Sequence, residues 1–200
     1  MNAAAAKALP FKRSTTGLPM QLLDLSQNYF ELFGQPVNFD IDPEQLHKKQ
    51  QELQAIFHPD RFVNAADQDR RVSVQQAARV NEAYQTLVDP VERGRYMLEL
   101  SGLNMNDQSE TTSDTEFLME QIALREQIEE IRSKDDPVAE CAGIIRNLKH
   151  SMLEISNEFA QKFEAGELDA ARQVSRKMQF IQRILQQAMD LQFQLEAELS

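Results

Sequence analysis

Pro59 is the residue that most limits what this chain can become. It stands between two stretches whose apolar residues recur at helical spacing. A proline fixes its own φ, lacks a backbone N–H and turns the preceding residue away from helical geometry. The first helix is therefore expected to stop at His58. His58-Pro59-Asp60 should then form a loop between two antiparallel helices, with its two polar residues facing water. Alone, the triplet has two readings. It is either a helix stop whose aspartate caps something local, or a small rigid recognition element.

The flanking patterns are well punctuated. Upstream, Asp42 caps a helix, Pro43 suits its first position and Gln45 completes a capping box. This helix should run to Phe57. At about 100° per residue, Leu46, Gln50, Leu53 and Phe57 share its buried side, while Lys48 points away and Lys49 lies at the edge. A short helix, Asn28 to Phe33, precedes it and ends at Gly34 and Pro36. Downstream, a helix from about Asp67 to Val88 should bury Ala77, Val80, Tyr84 and Leu87. Asp89-Pro90 interrupts it, and Val91 to Leu100 forms a further short helix closed by Gly102.

Residues 103–115 are polar and read as a linker, with Ser113 and Glu116 as another capping box. Helical segments follow at about 116–134, 138–165 and 167–199, punctuated by Asp135-Asp136-Pro137 and Gly166. Short connections imply antiparallel neighbours. The expected fold is all-α: a helix-hairpin domain over 26–102 with short flanking helices, joined to a three-helix bundle over 116–200. Residues 1–25 form a basic, hydroxylated tail without regular structure. The tail is a disordered extension, a stretch preceding a true start at Met20, or an organelle transit peptide.

Composition narrows the function. Leu, Gln, Glu and Ala abound and Trp is absent, which favours helix. A net charge of −11, most of it in the second half, argues against general nucleic-acid binding. The single cysteine, Cys141, permits no intrachain disulfide and is expected to be a small buried hydrophobe. His47, His58 and His150 are scattered without ligand spacing, so no metal site is expected. No apolar run reaches membrane-spanning length, and a cytoplasmic location is expected, or an organelle matrix if the tail is a transit peptide. No nucleophile lies near His58 and no Gly-rich phosphate loop exists. The chain is therefore read as a binding protein, not an enzyme, with no cofactor.

A second candidate surface follows from periodicity. Phe117, Gln121, Leu124, Ile128 and Ile131 cluster within about 40° and read as a core stripe. Leu118, Met119 and Ile122 fall on another face, beside Glu126 and Glu130. An apolar patch rimmed by acids suits a partner protein, or packs against another helix or the N-terminal domain. Phe180 is likewise off the stripe of Val174, Met178, Ile181 and Leu185, and either joins that surface or turns inward.

The context of the triplet resembles a J-domain: Phe57-His58-Pro59-Asp60-Arg61-Phe62, then Ala78-Arg79-Val80-Asn81-Glu82-Ala83-Tyr84 on the following helix. Asn28-Tyr29-Phe30-Glu31-Leu32-Phe33-Gly34 and Phe117-Leu118-Met119-Glu120-Gln121 resemble the HscB family, the J-protein co-chaperones of iron–sulfur cluster assembly. The likeness covers about residues 28–199. It implies that His58, Pro59 and Asp60, with Lys48, Lys49 and Arg61, contact a DnaK/HscA-class ATPase chaperone and stimulate its ATP hydrolysis. It also implies that Leu118, Met119, Ile122, Glu126, Glu130 and Phe180 bind an IscU-type scaffold. Two departures matter. Ala55 and Ile56 stand where the family often carries charge, implying modest electrostatic steering, and Ala123 replaces an acid, removing one polar contact. The rivals are a general J-protein that presents unfolded clients and a purely structural helical module.

Overall fold

A computed structural model describes residues 11–13, 19–21, 23–24, 26–62, 66–103 and 115–199. Among the described residues the fold is all-α apart from one small pairing. Seven helices are described: α1 (Tyr29–Leu32), α2 (Pro43–Phe57), α3 (Asp67–Val88), α4 (Pro90–Leu100), α5 (Thr115–Glu130), α6 (Pro137–Glu164) and α7 (Leu168–Glu198). Single 3-10 turns cover Pro59–Phe62 and Ile131–Ser133. The exception is an antiparallel pair of three-residue strands, β1 (Phe11–Arg13) and β2 (Pro19–Gln21), with Lys12 opposite Met20. It lies where the sequence predicts no regular structure. Strands this short leave no readable alternation.

The chain divides into two compact units, residues 1–93 and 94–200. The division falls inside α4. The stretch marked as a linker by its composition is described only at Leu103 and Thr115, so Ser113 and its capping box lie outside the described residues.

In the first unit, α2 and α3 form the expected hairpin. Gln54 Nε2 donates to Asn81 Oδ1 at 2.8 Å, and Tyr84 Oη meets His47 Nδ1 at 3.3 Å, which fixes the helices antiparallel. Asp42 caps α2 by accepting from the backbone N–H groups of Glu44 and Gln45. The capping box is incomplete, because the Gln45 amide donates to the Asp42 carboxylate instead of accepting from its backbone. These bonds hold the Asp42 carboxyl below the usual carboxylate range, the Gln45 backbone N–H first among them. A full capping box occurs at α1, between Asn28 and Glu31.

The buried side of α3 is rotated from the expected one. Ser73, Gln76, Val80, Ala83 and Leu87 are buried, whereas Ala77 and Tyr84 are half-buried at the edge. The cause is that α3 meets α1 and the 3-10 turn as well as α2. Small residues at 73 and 83 suit such crowding. Arg79 also binds α1's approach, stacking on Tyr29 at 4.9 Å and donating to the Gln27 carbonyl at 3.2 Å.

In the second unit, α6 and α7 form a long antiparallel hairpin. Gly166 turns the chain between them at φ +74°, a conformation side chains disfavour. Asp136 caps α6 through the Ala139 N–H. Cys141 is fully buried, with its thiol donating to the Ala188 carbonyl at 3.1 Å, and burial pushes its pKa up. Helix α5 leans on α7, where the Phe117 and Phe180 rings meet edge to face at 5.5 Å. Arg132 fastens the end of this segment to Glu198 at 2.9 Å. Within the same unit, Gly94 lets α4 approach the Phe159 ring so closely that a Cβ there would stand 3.2 Å from it.

Candidate functional site

The triplet is where the sequence placed it. Helix α2 ends at Phe57, which is buried, and His58 takes extended geometry at φ −59°, ψ 127° as its C-cap. The chain then turns through Pro59–Phe62, closed by the Arg61 N–H donating to the His58 carbonyl at 3.1 Å. Phe57 anchors the loop from below, so the loop's position is set by the core.

The side chains of His58 and Asp60 are 57% and 84% exposed. The Asp60 N–H donates to His58 Nδ1 at 3.3 Å. That contact needs Nδ1 unprotonated, so the neutral ring carries its proton on Nε2 and can donate from there. The Asp60 carboxylate lies 3.6 Å from the same Nδ1, beyond hydrogen-bond range. Together the pair offers a donor edge and a carboxylate held in fixed relation on one short loop. A carboxylate and an imidazole N–H so placed can pair with cationic or hydrogen-bonding groups.

The basic residues assigned to this site are not all beside it. Arg61 is in the turn, but its Nη1 donates to the Ala55 carbonyl at 2.9 Å, satisfying the C-terminal end of α2. Lys48 and Lys49 sit about two and a half turns earlier, roughly 14 Å up the helix axis. Lys48 is exposed, and Lys49 pairs with Glu52 at 3.4 Å. Among the described residues, no group of three His, Cys, Asp or Glu could hold a metal. No described helix is long and apolar enough to cross a membrane.

On α5 the core stripe behaves as periodicity predicts, with Phe117 and Ile131 buried and Leu124 and Ile128 packed against the same core. Leu118, Met119 and Ile122 are 42%, 65% and 53% exposed. Glu126 and Glu130 are exposed beside them, and Glu130 is held by Lys134 at 3.1 Å. The sequence signal for this pair is the Glu-to-Lys spacing of four. The apolar face is therefore open within its own unit.

Phe180 is a correction. It is 2% exposed and lies in the core against Phe117, so it does not line the surface. The reason is that α7 is packed by both α5 and α6 and so buries two stripes. Phe180 belongs to the one facing α5. The Arg125 guanidinium stands 6.0 Å from its ring, at the outer edge of cation–π range.

Comparison with known proteins places the chain in a family. A family model described as the HSCB C-terminal oligomerisation domain matches residues 113–189. A Shewanella halifaxensis protein named co-chaperone protein HscB homolog is 40% identical over 161 residues, covering 78% of this chain and 92% of that protein. The solved structure of chaperone HscB from Vibrio cholerae aligns at TM-score 0.77 with 37% identity, covering 84% of this chain and 99% of that one. The human co-chaperone protein HscB aligns at TM-score 0.72 with 26% identity, covering 84% of each. With a relative this similar matched over nearly its whole length, the chain belongs to the HscB co-chaperone family.

Proposed function

We propose that this protein is a cytoplasmic two-site adaptor in iron–sulfur cluster assembly. Residues 26–102 act as a J-domain that stimulates ATP hydrolysis by a DnaK/HscA-class chaperone. Residues 116–200 carry an IscU-type scaffold to that chaperone, and 103–115 link the two. The observation that carries this reading is the exposed His58/Asp60 pair on a loop anchored by buried Phe57. The adaptor supplies no catalytic group. It binds best to the chaperone conformation committed to hydrolysis and shifts its population, which requires only differential affinity.

The scaffold contact is assigned to Leu118, Met119 and Ile122, with Glu126 and Glu130 at the rim. An exposed apolar strip edged by carboxylates suits a folded partner with a complementary apolar and basic surface. Ala123 removes one acid from that rim, so apolar contact carries more of the affinity here. Replacing Leu118, Met119 and Ile122 together by Ala should weaken scaffold binding tenfold or more in a titration, because central apolar anchors dominate such interfaces. Scaffold-free ATPase stimulation should be unchanged. Unaltered scaffold affinity removes α5 from the contact.

A further inference from the structure

The second unit has an open groove between α5 and α6. Helices α5 and α6 both rest on α7 but diverge from each other. Between them lies a cavity of about 470 Å³, continued by one of about 350 Å³ that shares Gln127, Ile144 and Asn147. Its floor is apolar: Leu124, Ile144, Leu148, Ile155 and Ile181. Leu148 and Ile181 are buried by the bundle, but Leu124, Ile144 and Ile155 are only partly covered. From Glu140 to Glu158 the α6 wall runs for about 27 Å, the length of an 18-residue helix.

The rim gives the groove a sign. Glu120, Glu154 and Glu158 border its larger part, whose lining also holds Lys177, its ammonium 5.3 Å from the Phe117 ring centre, while Lys162 lies near Glu158. His150 stands 3.4 Å from Glu154. The groove is also continuous with the exposed α5 face, because Ala123 and Glu130 line it while lying next to Met119 and Glu126 on the helix surface.

We infer that the scaffold's footprint extends from the α5 face over Ala123 into this groove, where a positively charged amphipathic segment of the scaffold lies. The apolar side of that segment covers Ile144 and Ile155, and its cations meet Glu120, Glu154 and Glu158. This is helix-in-groove recognition with charge fixing the partner. Ala123 has a use in this arrangement: a small residue at the crest leaves room for a partner to cross from one surface to the other. The inference rests on the scaffold reading above, and its test separates the two.

The test is a binding titration of purified IscU-type scaffold against full-length variants with unchanged circular dichroism and melting. Glu154→Lys/Glu158→Lys reverses the rim at two exposed positions, and Ser151→Trp fills the groove without touching the α5 face. Both should weaken scaffold binding at least tenfold. The charge-reversed variant should also show a shallower salt dependence than the wild type. The triple alanine variant of Leu118, Met119 and Ile122 runs beside them. Groove variants that bind normally while the triple variant fails overturn the groove and leave the α5 reading intact. Normal binding by all three overturns both. Weak binding by the groove variants alone removes the α5 face and overturns the continuous footprint. A dimer of the wild-type chain in sedimentation velocity that Ser151→Trp dissociates would assign the groove to a second copy and overturn the proposal.

Discussion

Phe180→Ala separates a core role from a surface role for the one aromatic that sequence analysis placed at the partner interface. The ring is 2% exposed and meets Phe117 edge to face at 5.5 Å. Truncating a fully buried Phe costs about 3–5 kcal/mol, including the cavity left behind. Losing the aromatic pair accounts for about 0.5–1.5 kcal/mol within that range. At a urea slope near 2 kcal/mol/M, the midpoint should fall by about 2 M. Because the chain has two units, unfolding is best followed locally, by hydrogen exchange of amides in α5 and α7. Leu118→Ala is the control, at an exposed position on the same helix as Phe117, and should stay within about 0.5 kcal/mol of wild type. A Phe180→Ala protein as stable as the control would refute the inward packing and return Phe180 to the surface. If the packing holds, any loss of scaffold binding in this variant reports a disordered α5, not a missing contact.

Other outcomes follow from the same packing. Gly94→Ala gains up to about 1 kcal/mol of helix propensity. It also pushes a Cβ to 3.2 Å from the fully buried Phe159 ring, and overpacking of this kind costs about 1–3 kcal/mol, so thermal melting should show net destabilisation. Asp42 has a depressed folded pKa, so its capping contribution is complete above the ordinary carboxylate range and is lost as pH falls through the folded value. Amide exchange at Glu44 and Gln45 should accelerate on acidification in the wild type. Asp42→Asn should abolish that pH dependence while keeping a cap.

Much of this architecture was legible because prolines and glycines mark its boundaries. Pro43, Pro59, Pro90 and Pro137 each fall at or beside a helix end, and Gly102 and Gly166 both sit at positive φ after helices. What the sequence did not reveal were features set by more than one neighbour. The buried side of α3 turned because three elements press on it, making Ser73 and Gln76 core residues that hydropathy alone assigns to solvent. Phe180 lies off the single stripe that periodicity marks because α7 is packed on two sides. The groove between α5 and α6 has no signature at all, since it arises from the divergence of two helices on a common support. The His58 loop was readable because a local rule, the proline stop, sets its geometry. Its Nδ1 contact and the use of Arg61 on the Ala55 carbonyl are tertiary details that only coordinates supply.

The adaptor role is decided by steady-state ATP hydrolysis of a DnaK/HscA-class chaperone. It is measured with this protein, with and without the IscU-type scaffold, and with His58→Gln as control. His58 is exposed, so the substitution should leave the fold and scaffold binding intact. The wild type should stimulate hydrolysis, stimulate it further when scaffold is present, and lose both effects with His58→Gln. Equal stimulation by a folded His58→Gln protein, or none by the wild type, would contradict the adaptor role.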